Sequence, residues 1–541
     1  LAEEVVGQLD GDTQRFLMNT SLLQVVEPDL AAVATGFPSD RAKRLIDGCE
    51  RLGLLSRRAD ASRRTHRYHP LVRTFLEERL RDEIGAEGLV ALHRRLAGHA
   101  EGRDWRVAAH HHAAAGDIGD LHRVIGDAVM AIMASGDFAL AESFIQRFPA
   151  ERPNPVFEIV LARQLFYADR GNEAVVRASE GLASMGETDA GLDVALANLA
   201  SLEYMAGSAN RSLELAQQLL ARTEDPALRD IALAFSLLHS AFGDGDLEPV
   251  IAHLQAMSTR MQGAQSGHYL AVAQLNLAVC HRIQGKADEC LTEASFAAEA
   301  FAASTRTPEL AAARSARAWA LAHLGRWSEA EAEIATASTF DHEVARAELL
   351  TEGAETHLFY DDLETTNILL ERARSVAETS SYLGDIWRLV SCGAALREGG
   401  SHRASQFLAE LPRTRAAGPG YVAWRKALLA HLAVISDHPG VDEAIADGLE
   451  HATRQRVWFW ARYCQVLRAV SRPPAEVTAE LRSLLDGDGP TYLSVLAELV
   501  AARLAQLAPD VARVVKDEAA RRPGRWRPAL RRVITTGSDP A

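Results

Sequence analysis

His110, His111 and His112 stand in a row, and histidine is the commonest metal ligand. On a helix, however, neighbouring side chains point about 100° apart, so three in succession cannot converge on one ion. Helical metal sites use the i, i+4 spacing of H-E-x-x-H, and the chain has no such motif. Phosphate chemistry would need G-x-x-x-x-G-K-[ST]. The single Gly-Lys, Gly285-Lys286, is followed by Ala287, and Cys280 stands where the first glycine belongs. There is no G-x-S-x-G elbow for a nucleophilic serine. Acidic pairs such as Asp361-Asp362 fall at turns, where carboxylates cap helices. The sequence therefore predicts no metal, no catalytic residue and no enzyme in this segment.

What could do chemistry instead is a surface. Gly325-Arg326-Trp327-Ser328-Glu329-Ala330 precedes Ile334 and Ala337, and Gly285-Lys286-Ala287 precedes Cys290, Ala294 and Ala297. The same grammar starts at Gly116, Gly136, Gly171, Gly207, Gly245 and Gly400, with Asp361 taking the turn position once. From Gly171 onward these turns are 36 to 40 residues apart. That is the turn and second helix of a tetratricopeptide-like hairpin, slightly longer than the minimal repeat of about 34 residues. Glycine reverses the chain by ending the first helix in a left-handed conformation. Small residues five positions on (Ala141, Ser212, Cys290, Ala330, Ser405) let the two helices approach, and Trp327 is predicted to plug its hairpin.

In such hairpins the first helix lines the concave face. Counting back 13, 10, 6, 3 and 2 positions from each turn selects a groove: Ser201, Tyr204, Phe235, His239, Phe242, Arg282, Trp319, His323, Glu355, Phe359, Trp387 and Arg397. Aromatics mixed with hydrogen-bonding groups suit an amphipathic ligand such as a sugar, a metabolite or an extended peptide. The alternative for each residue alone is packing against a neighbour.

Composition narrows the setting. The chain has 541 residues, 48% of them hydrophobic and 24% charged, with a net charge of −15. Lysine is confined to Lys43, Lys286, Lys426 and Lys516, and arginine is scattered, so no direct grip on nucleic acid is expected. No apolar run approaches a membrane span. Cys49, Cys280, Cys290, Cys392 and Cys464 form no C-x-x-C pair and read as buried, reduced thiols in a cytoplasmic protein. The start at Leu1 has neither a Met nor a signal-peptide pattern, which suggests a piece of a longer protein.

Residues 1–83 follow another pattern. A helix is predicted from Asp12, as N-cap, to Leu23, and a second from Ser39 or Asp40 to Leu52, stopped by Gly53. Two short strands, 54–57 and 66–69, flank a basic turn, and Pro70 opens a helix from Leu71 to Glu83. Helices followed by a two-stranded wing describe a winged helix. Phe16 to Leu23, Leu52-Gly53-Leu54-Leu55 and Tyr68-His69-Pro70-Leu71-Val72-Arg73-Thr74-Phe75-Leu76 resemble the winged-helix arm of MalT-like regulators. These are LuxR-family transcription activators of the signal-transduction ATPase class.

The resemblance implies an all-α protein: a tetratricopeptide-like superhelix with a small N-terminal winged helix. The divisions expected are a winged helix (1–83), an irregular helical connector (84–152), the repeat array (153–411), C-terminal helical repeats (412–520) and a basic tail or linker (521–541). A nucleotide-binding domain carrying ATP or ADP would lie upstream, and a helix-turn-helix domain downstream. No cofactor is expected in this chain. His69 would be the nucleotide-sensing group of the intact protein, its imidazole reaching the ADP phosphates. The array would sense an effector, a small inducer or a partner in its groove, and relay occupancy to the nucleotide-binding domain, with oligomerisation on activation. The alternative is a protein-interaction scaffold, the arm of a regulator or kinase, holding a peptide or partner protein.

Overall fold

The computed structural model describes residues 6–57, 65–149 and 154–471, apart from residues 169, 188, 190, 207, 243–245, 262–266, 304–306, 360–361 and 412–419. The helices expected after residue 471 and the basic tail lie outside these residues. The described residues form 25 α-helices and one two-stranded sheet, an all-α architecture. They divide into two compact units: residues 1–132 with 139–157, and residues 133–138 with the chain from 158 onward.

The first unit opens with the winged helix. Helix α1 spans Gly11–Thr20, and its N-cap is Asp10 rather than Asp12. Asp10 has the extended backbone a cap needs, and its carboxylate accepts from the Thr13 amide at 2.9 Å and the Thr13 hydroxyl at 2.7 Å. Asp12 sits inside the first turn and pairs with Arg41. Helix α2, Pro28–Thr35, was not foreseen; proline starts it and the left-handed Gly36 ends it. Helix α3 spans Ser39–Arg51 and buries Ala42, Ile46 and Cys49. Strands β1 (Leu55–Arg57) and β2 (His66–Tyr68) pair antiparallel, Leu55 opposite Tyr68. The buried Tyr68 hydroxyl lies 2.5 Å from Thr20 Oγ1, tying the wing to α1. Helix α4 runs Pro70–Ala100 but breaks at Gly85, whose φ of 68° is left-handed. Phe16, Leu17, Ile46, Leu55, Leu76 and Leu80 close the core.

Helix α5, Trp105–Ala115, carries the histidine row. The three side chains go three ways: His110 Nδ1 lies 3.3 Å from Gln24 Nε2, His111 Nδ1 lies 2.9 Å from His93 Nδ1, and His112 Nε2 lies 2.7 Å from Glu101 Oε1. Burial holds His93 down at about 4 and His111 at about 3, so both are neutral near pH 7 and one must donate to the other. His112 approaches Asp117 and Asp120, the one grouping among the described residues with metal-like spacing. Arg94 already holds Asp117 through two hydrogen bonds and Arg123 holds Asp120. Helices α6 (Ile118–Asp127), α7 (Val129–Ser135) and α8 (Phe138–Arg147) follow.

The second unit is the array. Its hairpins are α9 (Pro155–Tyr167) with α10 (Gly171–Ala183), α11 (Leu192–Met205) with α12 (Ala209–Arg222), and α13 (Pro226–Phe242) with α14 (Glu248–Met261). Then come α15 (Gly267–Gln284) with α16 (Ala287–Ala303), α17 (Thr307–His323) with α18 (Trp327–Ala335), and α19 (Glu343–Phe359) with α20 (Leu363–Ala377). The last are α21 (Ser381–Arg397) with α22 (Ser401–Glu410), and α23 (Tyr421–Ile435) with α24 (Val441–Arg454), before α25 (Trp458–Ser471). From α11 onward the partners of each hairpin pack together, α11 runs beside α13, and α15, α17, α19, α21 and α23 run side by side where the next hairpin nests. This is the tetratricopeptide-like arrangement.

Gly285 and Gly325 take the left-handed backbone expected at the reversal, both with φ of 78°. Two turns differ. Gly171 is the first residue of α10, and the left-handed residue before α22 is Gly399, not Gly400. The one-residue shift explains the small position as well: Ala404 is buried, five residues after Gly399, while Ser405 is exposed. Ala141, Ser212, Cys290 and Ala330 are buried as expected. The Ser212 hydroxyl also donates to the Ala200 carbonyl at 2.8 Å, latching one helix of its hairpin to the other. Trp327 is partly buried against the core. The helices α24 and α25 are separate, because Arg456 reverses the chain between them with a φ of 56°. All five cysteines are buried and unbridged.

Candidate functional site

A cavity of about 540 Å³ opens among the first helices of the array. Helix α11 supplies Ser201 and Tyr204, α13 supplies Phe235, α15 supplies Tyr269 and Asn276, and α19 supplies Glu348. The hydrogen bond from the Tyr167 hydroxyl to Glu309 Oε1, at 2.6 Å, joins α9 to α17, 142 residues on. Glu309 is itself part of the lining, so this contact helps close one side. Tyr204 and Phe235 lie with ring centroids 5.5 Å apart, and Asn276 Nδ2 donates to the Val272 carbonyl at 2.9 Å. Arg163, also on the wall, donates from Nε to Asn198 Oδ1 at 3.0 Å, with its guanidinium 5.9 Å from the Phe166 centroid.

Three of the predicted groove residues, Ser201, Tyr204 and Phe235, therefore meet in one place. His239 is half-buried farther along α13 and does not line the cavity, and the Phe242 side chain lies outside the described residues. The others are elsewhere. Arg282 reaches from α15 between Glu352, at 2.6 Å, and Glu355 of α19. Burial opposes its charge, but the two carboxylates outweigh it and hold the guanidinium protonated. Burial pushes Glu355 up to about 7, with Arg282 pulling down and Glu352 pushing up. Trp319 is only 4% exposed and stacks on His323 at 4.0 Å, and His323 Nδ1 contacts the Trp319 carbonyl at 2.9 Å.

Phe359 explains why this end is closed: α25 folds against the array and puts Phe459 4.5 Å and Trp460 6.1 Å from it. The expected open wall of Trp319, His323, Glu355 and Phe359 is thus buried, with Phe359 covered by the chain's own later helix. Trp387 donates from Nε1 to the Leu370 carbonyl at 2.9 Å and meets Phe407 edge-on, so it fastens α21 to α20 and α22. Arg397 lies beside Tyr463, whose hydroxyl is 2.5 Å from His431 Nδ1. In the other unit, His69 is exposed and caps α4, its Nδ1 accepting from the Leu71 amide at 3.4 Å.

Arg163, Tyr269, Asn276, Glu309 and Glu348 also line the cavity, outside the predicted groove, and Glu348 differs from the rest. It stands thirteen positions before Asp361, where the counting rule points, but a single glutamate among many carries no flag. Its surroundings give it one. It makes no hydrogen bond or ion pair among the described residues. Burial, then Glu352 and Glu309, raise its carboxyl well above the usual carboxylate range against the pull of Arg282.

The fold and cavity define a class: a winged helix heading an array of helical hairpins. Residues 2–87 match the family model described as the MalT winged helix domain, and over that segment the chain is similar to MalT-like regulators. Over 155 residues it is 32% identical to the HTH-type transcriptional regulator MalT of Yersinia pestis (strain Pestoides F), covering 28% of this chain and 16% of that protein. The MalT of Yersinia enterocolitica serotype O:8 matches to the same extent. The match thus spans about a sixth of the length of these curated relatives. Among solved structures, a signal transduction ATPase with a tetratricopeptide repeat sensor from Pyrococcus horikoshii aligns at a TM-score of 0.39 with 12% identity, covering 82% of this chain and 66% of that one. Yeast Tom70 aligns at 0.31 with 10% identity, over 76% of this chain and 98% of that one. Among the described residues, no helix is long and apolar enough to cross a membrane.

Proposed function

We propose that this segment is the effector-sensing and signal-transducing region of a MalT-like, ATP-dependent transcription regulator, acting by binding rather than catalysis. The observation that carries the reading is the cavity of about 540 Å³, walled by aromatic and aliphatic side chains with a few polar groups. Ligand sites have this size and make-up, about 300–1,000 Å³ with sparse polar anchors. A small molecule bound there would touch α11, α13, α15 and α19 together, so its binding energy could favour one arrangement of the hairpins over another. The scaffold reading is weaker, because Phe359 of the aromatic row that a partner peptide would need is already covered by α25 and Trp319 is buried. In the intact regulator, His69 would contact the nucleotide of an adjoining nucleotide-binding domain, and release of that contact would permit oligomerisation.

Calorimetry of the chain against a metabolite panel tests the reading, with Ser201→Trp as the control that fills the cavity. A ligand should bind the wild-type chain and lose at least about tenfold in affinity to the variant. Binding that ignores Ser201→Trp would move the effector site elsewhere. For His69, the full-length regulator carrying His69→Ala should be active without inducer; a variant that stays fully inducer-dependent would remove that role.

A further inference from the structure

The cavity's charges do not balance, and the imbalance says what kind of molecule fits. Glu309 accepts from Tyr167, and Arg163 is turned to Asn198 and the Phe166 ring. Arg282, whose charge reaches Glu348, is already shared between Glu352 and Glu355. Glu348, one turn before Glu352 on the same helix, has no such partner among the described residues, yet it faces the cavity. A carboxylate held among protein groups and unanswered by a cation is costly; the cost falls if it is protonated or if a cation arrives. The rest of the wall suits such a cation's body. Tyr204 and Phe235 offer ring faces, which attract ammonium groups, and Met257 and Leu254 offer apolar surface.

We propose that the cavity takes a cationic amphipath, an aromatic or long-chain amine whose ammonium pairs with Glu348 while its apolar body lies along Tyr204 and Phe235. This rests on the reading of the cavity as the effector site and names the ligand class. A neutral sugar would leave Glu348 unanswered. An anion would meet Glu348 and Glu309 together on the wall. An ammonium donates charge-assisted hydrogen bonds to the carboxylate, about twice as strong as neutral ones.

The test uses three fluorescent probes with one apolar body: dansylcadaverine, its N-acetyl derivative, and dansyl-6-aminohexanoate. Binding to the whole chain is read by fluorescence and calorimetry at neutral pH. The amine should bind at least about tenfold tighter than the acetylated probe, and the carboxylate weakest. Glu348→Gln should erase the amine's advantage and leave the acetylated probe's affinity unchanged. Ser201→Trp should weaken all binding. Equal affinity for amine and acetylated probe, both lost in Ser201→Trp, overturns the amine class and keeps the cavity as a ligand site. An amine preference that persists in Glu348→Gln overturns the role of that carboxylate. No binding by any probe, or binding indifferent to Ser201→Trp, overturns this proposal and the effector reading with it. The comparison among probes on the wild-type chain stands even if a variant fails to fold.

Discussion

Phe235 and Phe359 both follow from counting back along first helices of hairpins in the same array, and they end in opposite surroundings. Phe235 borders open volume, with Tyr204 beside it. Phe359 is 6% exposed, sealed by Phe459 and Trp460 of α25. The polar groups divide the same way. Arg282, Glu352 and Glu355 answer one another in the closed stretch, whereas Glu348 at the cavity is unanswered. The repeat specifies which residues face inward. What they face is decided by a helix about a hundred residues later in the chain, which covers one stretch of the inner wall and leaves the other open.

The largest expected effect breaks the closed stretch. Arg282→Ala leaves Glu352 and Glu355 buried without a cation and should cost about 3–5 kcal/mol, as removing one member of a buried ion pair does. The loss should shrink in acid, where both carboxylates are protonated. Denaturant unfolding at two pH values measures it; a loss under about 1 kcal/mol at neutral pH would mean that water reaches this cluster. Phe359→Ala should cost a similar amount, about 3–5 kcal/mol, by opening a cavity against α25. Hydrogen exchange should then accelerate in α19 and α25 together, since each repeat depends on its neighbours.

Much of the fold was legible, for identifiable reasons. Gly285 and Gly325 mark their reversals because only glycine takes that backbone cheaply. Where the reversal falls on Arg456, with a positive φ, no glycine announces the break between α24 and α25. The wing was visible in Gly53, Pro70 and the two short strands flanking a basic turn, while α2 was hidden because eight residues are too few to show a period. Of the site, Ser201, Tyr204 and Phe235 could be named, since their place depends on helix spacing. The burial of Phe359 could not, because it depends on where α25 folds. Glu348 acquires meaning only when its neighbours are known.

A third effect is smaller and sharpens the contrast by pH. Burial lowers His323 from 6.5 to about 3; Trp319 and Phe359 surround its ring, and Arg282 also disfavours its charge. Between those values the unfolded chain binds a proton that the folded chain refuses, so stability falls as pH drops from 6.5 towards 3. Glu355 works from the other side. Its carboxyl is raised from 4.5 to about 7, so the folded chain holds a proton longer, and stability falls as pH rises across that window. The two slopes confine the closed stretch to an optimum. His323→Gln should flatten the acid side by about 2–4 kcal/mol and leave the slope from Glu355 in place. Melting curves from pH 4 to 8 would follow both limbs; an unchanged acid limb would show that His323 is solvated.

The smallest effect belongs to the open stretch. Phe235→Ala removes a ring whose cavity side touches no protein atoms, so fewer contacts are lost than for a packed phenylalanine. Where Phe359→Ala creates a hole, Phe235→Ala only enlarges one already present. The expected loss is about 1 kcal/mol or less, carried mainly by the contact with Tyr204. Paired thermal melts of the two variants measure the difference directly. A ligand bound in the cavity would widen it, because binding energy is added to the wild-type chain and withheld from the Phe235→Ala chain. If the two alanine variants lose equal stability without ligand, the wall at Phe235 is packed in solution, and the distinction between an open and a closed stretch of the array is lost.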